Sequence, residues 1–329
     1  RLLVVDLSGY PEPMAGIAAL AGVCDSDTRV VALGEVNDIS LYRQLMDIGL
    51  DDYLVKPLSA EILNETLRRV IEDESSEPQG ETDHLGRLIA FVGARGGVGS
   101  TTLAANCAWM MANEQGLRVA LVDLDLYYGT VALALDLEPG RGFREALENP
   151  SRIDGLFIER AMARQGDNLF DLAAEEELEN TFCFEPAALD TLLATLRQDF
   201  DCVVFDLPRF AARTQIKTMT DPATIVVVSD ATLAGMRDTM RLLNFAAKSS
   251  PRAEVMVAIN GLGGDKSAEL SVADFESGAE LSVDHKIPCD RKAATRAEGA
   301  GKTVAEIASG SKITKAMREL SRHASGRAD

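Results

Sequence analysis

The stretch GARGGVGSTT, Gly93–Thr102, decides how the rest of the chain is read. It follows an apolar run, RLIAFVG, and precedes TTLAANCAWMMANEQG, whose apolar spacing and closing Gly116 predict a helix. A glycine-rich loop between a strand and a helix gathers backbone N–H groups around an anion, and the helix start adds partial positive charge. Gly93, Gly96, Gly97 and Gly99 let the backbone wrap closely, and Thr101 stands where a hydroxyl reaches a magnesium ion. The position at which such loops carry a phosphate-binding lysine is Ser100, and no lysine occurs between Lys56 and Lys217.

Working outward, RVALVDLD, FDCVVFDLP, ATIVVVSD and EVMVAIN read as further core strands, separated by helical patterns such as AALDTLLATLRQ and LAGMRDTMRLLNFAAK. Their two-sided apolar character predicts a mainly parallel sheet covered by helices on both faces. Asp123 and Asp125 close one strand and Asp206 closes another. In an open α/β sheet the carboxyl ends of the strands converge on one crevice, where carboxylates hold magnesium or orient water.

Upstream, LLVVD, TRVVALG and DDYLVKP alternate with helical patterns, including ISLYRQLMDIGL and SAEILNETLRRVIEDE. This predicts a smaller parallel α/β unit. EDESSEPQGETDHLG is acidic, carries Ser, Pro and Gly, and shows no apolar period, as a linker does. The expected organisation is a first domain over 1–72, a linker over 73–86 and a second domain over 87–329.

Bulk properties narrow the function classes. The formal charge is −19 and the pI about 4.6, which argues against a protein that coats nucleic acid. Cys24, Cys107, Cys183, Cys202 and Cys289 are scattered, as reduced thiols of a cytoplasmic protein are. The histidines His84, His285 and His323 lack metal-ligand spacing. The chain opens mid-strand on RLLVVD, as though inside a domain, and its mildly basic last helix lacks the Phe/Trp/Leu-rich face of a membrane-binding helix.

ARGGVGSTT, LVDLDLYYGTV and FDCVVFDLP resemble the deviant Walker A ATPases of the MinD/ParA class, whose loop reads K-G-G-x-G-K-T-T. The resemblance places Arg95 at the signature lysine and Ser100 at the phosphate lysine. It implies ATP or ADP bound by Arg95, Gly96, Gly97, Val98, Gly99, Ser100, Thr101, Thr102 and Asn260, the last in an adenine-contacting AIN followed by IPCD. It further implies Mg2+ held through Thr101, Asp123 and Asp206, Asp125 as the water-activating residue, and a homodimer. Losing one preorganised stabilising group costs about 3–4 kcal/mol, a factor of hundreds in rate. The expectation is therefore a weak ATPase at most.

The first domain resembles a response-regulator receiver, a flavodoxin-like fold, entered partway. Asp6 matches the phospho-acceptor and Lys56 the lysine after the last strand, while Gly34 stands where a hydroxyl residue is expected. A truncated receiver, an acidic linker and a deviant Walker domain together resemble the TadZ/CpaE proteins of Tad (Flp) pilus assembly. That resemblance implies an ATP-binding, dimerising assembly protein at the cell pole or the cytoplasmic face of the pilus machinery. Its partners would be other Tad pilus proteins, with neither nucleic acid nor direct membrane contact. An active MinD-like ATPase switch and a scaffold that binds no nucleotide are the alternatives.

Overall fold

The computed structural model describes residues 2–8, 17, 20, 28–34, 45, 50, 52–56, 85–140, 142–148, 160–179, 186–215, 223–264 and 269–327. The acidic linker and the helices read between and after the first three strands lie outside these residues, apart from isolated positions. The chain divides into two compact units, Arg1–Thr82 and Asp83–Asp329.

In the first unit, β1 (Leu2–Asp6), β2 (Arg29–Gly34) and β3 (Asp52–Val55) form a parallel sheet in the order β1-β2-β3. Val30, Ala32 and Tyr53 pack with Leu7, Ile17, Leu45 and Leu50 in its core. At the strand tips Lys56 Nζ donates to Asp6 Oδ2 at 2.6 Å, and the Ser8 amide donates to Asp6 Oδ1 at 3.0 Å. The Tyr53 ring occupies the room beside Gly34, where any Cβ would overlap its hydroxyl.

The second unit begins with β4 (Arg87–Gly93), α1 (Ser100–Asn113) and β5 (Val119–Asp123). Two short helices follow, α2 (Val131–Ala134) and α3 (Gly142–Glu148), and then the hairpin of β6 (Ala163–Gln165) and β7 (Leu169–Leu172). The chain continues through α4 (Pro186–Asp199), β8 (Cys202–Leu207), α5 (Arg209–Gln215), β9 (Ala223–Ser229), α6 (Leu233–Ser249) and β10 (Glu254–Leu262). It closes with α7 (Val272–Ala279), β11 (His285–Pro288), α8 (Arg291–Glu298), α9 (Val304–Ile307) and α10 (Lys312–Ala324). The eight strands run in the order β11-β10-β9-β4-β8-β5-β7-β6, parallel throughout except for the β6–β7 pair.

The strands read as apolar runs because both faces are covered. Leu88, Ala90 and Val92 of β4 join one core with Leu189, Leu192 and Leu196 of α4. Ile89 and Phe91 join the other with Leu103 and Met111 of α1 and Met317 and Leu320 of α10. The same alternation sorts β8, with Val203, Phe205 and Leu207 on the α4 side and Cys202 and Val204 on the α1 side. α10 is the helix read as too polar for a membrane, and its apolar face (Ile313, Met317, Leu320, Ala324) is buried in the α1-side core. Polar bonds fasten it there. Ser321 Oγ donates to the Cys107 carbonyl at 3.1 Å, and Arg318 pairs with Glu114 through both Nε and Nη2.

Candidate functional site

The glycine loop leaves β4 at Gly93 and enters α1 at Ser100. Gly97 and Gly99 adopt φ of 78° and 86°, in the left-handed region that side chains resist. Two neighbouring strands brace the loop. Ala94 N donates to the Val228 carbonyl of β9 at 2.8 Å, and Asn260 Nδ2 of β10 donates to the Val98 carbonyl at 2.8 Å. Above Gly96 and Gly97 the space is open, since a Cβ on either would meet nothing within 4 Å.

The carboxylates follow from the strand pleat. Side chains two apart share a face, so Asp123 joins Val119 and Leu121 on the α1 side, and Asp206 joins Cys202 and Val204 there. Asp123 and Asp206 are directly paired across β5 and β8. Thr101, in the first turn of α1, donates its hydroxyl to Asp206 Oδ2 at 2.5 Å. Asp123 is buried, accepting from Asp125 N at 3.0 Å and Val131 N at 3.1 Å. Gly129 lies so close over Asp123 that a Cβ there would overlap its carboxylate, which makes glycine obligatory in that loop.

A third carboxylate on the same face, Asp171 of β7, was not singled out in the sequence. It is 2% exposed and its Oδ1 has no hydrogen-bond partner. The signal was there as a repeated pattern, two apolar residues and then Asp: LVD, VFD and LFD. Burial, reinforced by the Asp123 charge, pushes Asp171 up to about 8. Burial also pushes Asp206 up to about 7, with the Asp123 charge adding and the Thr101 hydroxyl opposing. Asp123 is raised to about 6, again mainly by burial. All three shifts have burial as their first cause, which disfavours the charged carboxylate.

A cavity of about 470 Å³ opens over the loop. Arg95, Gly96, Gly97, Ser100, Thr101, Asp125 and Asp206 line it together. Asp125, in its wall, accepts from Tyr128 N at 3.1 Å. Asp123 is not in the cavity wall but behind it, held against Gly129. Val98 and Asn260 meet each other as braces outside the wall, and Thr102 faces a second cavity of about 300 Å³ beside α1, α8 and α9. Asp6 and Lys56 belong to the other unit. The Arg95 guanidinium is turned toward the start of α6, donating to Thr232 Oγ1 at 3.1 Å and lying 3.4 Å from Asp230 Oδ2. Two further lining residues, Tyr128 and Phe210, each 72% exposed, carry no motif in the sequence, and Arg209, legible there only as a local basic position in an acidic chain, lines the cavity with them.

Among the described residues no group of three or more His, Cys, Asp and Glu side chains is arranged to hold a metal by itself. Magnesium does not require one, because it is bound through one or two protein oxygens with phosphates and waters supplying the rest. Thr101 Oγ1 and the Asp206 carboxylate offer such oxygens. Open space over two backbone-exposing glycines meets the corresponding need of a phosphate.

This loop, sheet order and strand-end carboxylate set define a P-loop α/β nucleotide-site architecture. A family model described as an AAA domain matches residues 86–254, half of the chain, and the chain belongs to that family. It is similar to an uncharacterized ATP-binding protein of Methanocaldococcus jannaschii, 23% identical over 209 residues that span 63% of this chain and 76% of that protein. It is also similar to the septum site-determining protein MinD of Bacillus subtilis, 26% identical over 171 residues that span 48% of this chain and 59% of MinD. In fold it matches a ParA family ATPase from Chlorobium tepidum with a TM-score of 0.65 at 18% identity, covering 73% of this chain and 99% of that one.

Proposed function

We propose that the chain is a nucleotide-dependent assembly protein of the TadZ/CpaE kind, which binds ATP with Mg2+, dimerises on it and turns it over slowly or not at all. The observation that carries this reading is the single cavity in which the glycine loop, Thr101, Asp206 and Asp125 come together while Ser100 stands at the lysine position. Bound ATP with Mg2+ would supply a positive charge at Asp206 and a cleavable phosphoanhydride. The chain's own part is to orient. Gly96 and Gly97 offer backbone N–H groups, Thr101 and Asp206 offer oxygens to the metal, and Asp125 holds a carboxylate in the cavity wall, where it can orient water. Ser100 offers a hydrogen bond and no charge, which weakens transition-state stabilisation more than binding.

The Tad assignment, with polar localisation and pilus proteins as partners, draws support from domain order. A parallel unit with Asp6 and Lys56 in contact at its strand tips precedes the nucleotide unit. This supports a receiver-like unit over 1–72 and a MinD/ParA-like one over 87–329. Among the described residues no helix is long and apolar enough to cross a membrane.

Calorimetry with ATP and Mg2+, sedimentation with and without it, and steady-state turnover test the proposal together. Binding and a shift to dimer are expected, with turnover that rises about a hundredfold or more in Ser100→Lys. Wild-type turnover already equal to that of Ser100→Lys would identify an active switch instead. Absence of binding would identify a scaffold that uses no nucleotide.

A further inference from the structure

The loop lost its lysine, yet the cavity above it is not without cations. Arg95 and Arg209 both line it, and no lysine does. The two arginines are placed differently. Arg95 points toward Asp230 and Thr232 at the start of α6. Arg209 reaches the loop from the far side, out of the segment DLPRF that follows β8, and its Nη1 donates to the Ala94 carbonyl at 3.2 Å. Its guanidinium therefore rests on the backbone of the phosphate loop.

We propose that Arg209 supplies the positive charge at the nucleotide phosphates that Ser100 cannot supply. The assignment rests on the nucleotide reading above and names the residue that makes it work. Among the described residues Nε and Nη2 of Arg209 have no protein partner, so the planar fork keeps donors for phosphate oxygens. Its one ion pair is loose, 3.7 Å to Asp238, and Asp238 is separately paired with Arg237 at 2.9 Å and Arg241 at 3.7 Å. Asp238 therefore does not need Arg209. The arginine is anchored where it starts: Pro208 precedes it, and the Pro208 carbonyl accepts from the amides of Ala211 and Ala212. A magnesium–nucleotide complex keeps residual negative charge on its phosphates, and with Asp125 and Asp206 also in the wall, cations must come from somewhere in the cavity. The charge has moved from the loop to the segment facing it.

The test is calorimetric affinity for ATP and ADP with Mg2+ in wild type, Arg209→Ala, Arg209→Lys, Ser100→Lys and the double variant Arg209→Ala/Ser100→Lys. A charge-assisted contact sets the expected loss in Arg209→Ala at about 10- to 100-fold. Arg209→Lys should retain most of the affinity, and Ser100→Lys should raise affinity more in the Arg209→Ala background than it does alone in wild type, a coupling that a merely structural role would not give. Unfolding midpoints check that the variants fold, and Arg209→Gln carries the same expectation should Arg209→Ala fail to fold. Affinity within about twofold of wild type in Arg209→Ala, or a Ser100→Lys gain no larger in that background than in wild type, overturns the assignment while leaving nucleotide binding intact. A wild type that binds neither nucleotide overturns both.

Discussion

Each unit of this chain puts carboxylates at the carboxyl ends of parallel strands, and the two treat them in opposite ways. In the first unit Asp6 is half-exposed and touches Lys56, whose ammonium, with the Ser8 hydrogen bonds, holds it down at about 2. In the second, Asp123, Asp206 and Asp171 are buried on one face of the sheet, and their pKa values rise to about 6, 7 and 8. The first site carries its own counter-charge. The second has the hydroxyl of Thr101 on Asp206 and two backbone amides on Asp123, and neither is a charged donor. A strand-end aspartate is thus not one kind of site; burial separates the cases first, and the lysine that the chain supplies to Asp6 widens the difference.

The sharpest way to break this contrast is Asp171→Asn. The folded-state pKa of Asp171 is raised, so the native carboxyl holds its proton while the unfolded one releases it. Its burial therefore costs stability progressively from the usual carboxylate range up to about pH 8. The variant should match wild type near pH 3 and exceed it by about 2 kcal/mol or more at pH 9, as read from denaturant unfolding. Equal stability at both pH values would mean that Asp171 is not held neutral by burial.

A smaller effect sharpens the cation side. Magnesium should tighten ADP binding about tenfold in wild type and by less than about twofold in Asp206→Asn, because the substitution keeps the shape beside Thr101 and removes the charge. An unchanged magnesium effect would take Asp206 out of the metal's surroundings. The smallest effect belongs to the first unit. In Lys56→Met the Asp6 carboxyl should titrate back in the ordinary carboxylate range, above its present value of about 2, as followed by carbon NMR. A depressed folded-state value contributes stability above that range and loses it as pH falls toward 2, but this group is too exposed for the loss to be large.

Much of the second unit could be read from sequence because burial on both sheet faces writes itself as unbroken apolar runs. β4, β5, β8, β9 and β10 are such runs. β6 and β11 are edge strands of three and four residues with polar members, ARQ and HKIP, and carry no comparable pattern. Asp171 sits in LFDL, where its charge masks a strand that is buried at every position. The glycine loop, Thr101, Asp125 and Asp206 were legible because local chemistry demands those residue types. The place of Arg209 beside the loop was not, because it depends on the 3.2 Å to a carbonyl 115 residues earlier in the chain. Asn260 was read as a ligand contact, and its observed bond is to the Val98 carbonyl of the loop.

The packing of α10 on α1 has a consequence for how the site comes into being. Ser321 and its acceptor on Cys107 are 214 residues apart in sequence, yet that contact covers the helix whose first turn carries Ser100 and Thr101. Met317 and Leu320, which pack over the same core, come more than two hundred residues after the loop. Leu103 and Met111 share that core with them, and contacts of such long sequence separation are slow to form. The helix that follows the phosphate loop is thus held in place by one of the most sequence-distant contacts of its unit.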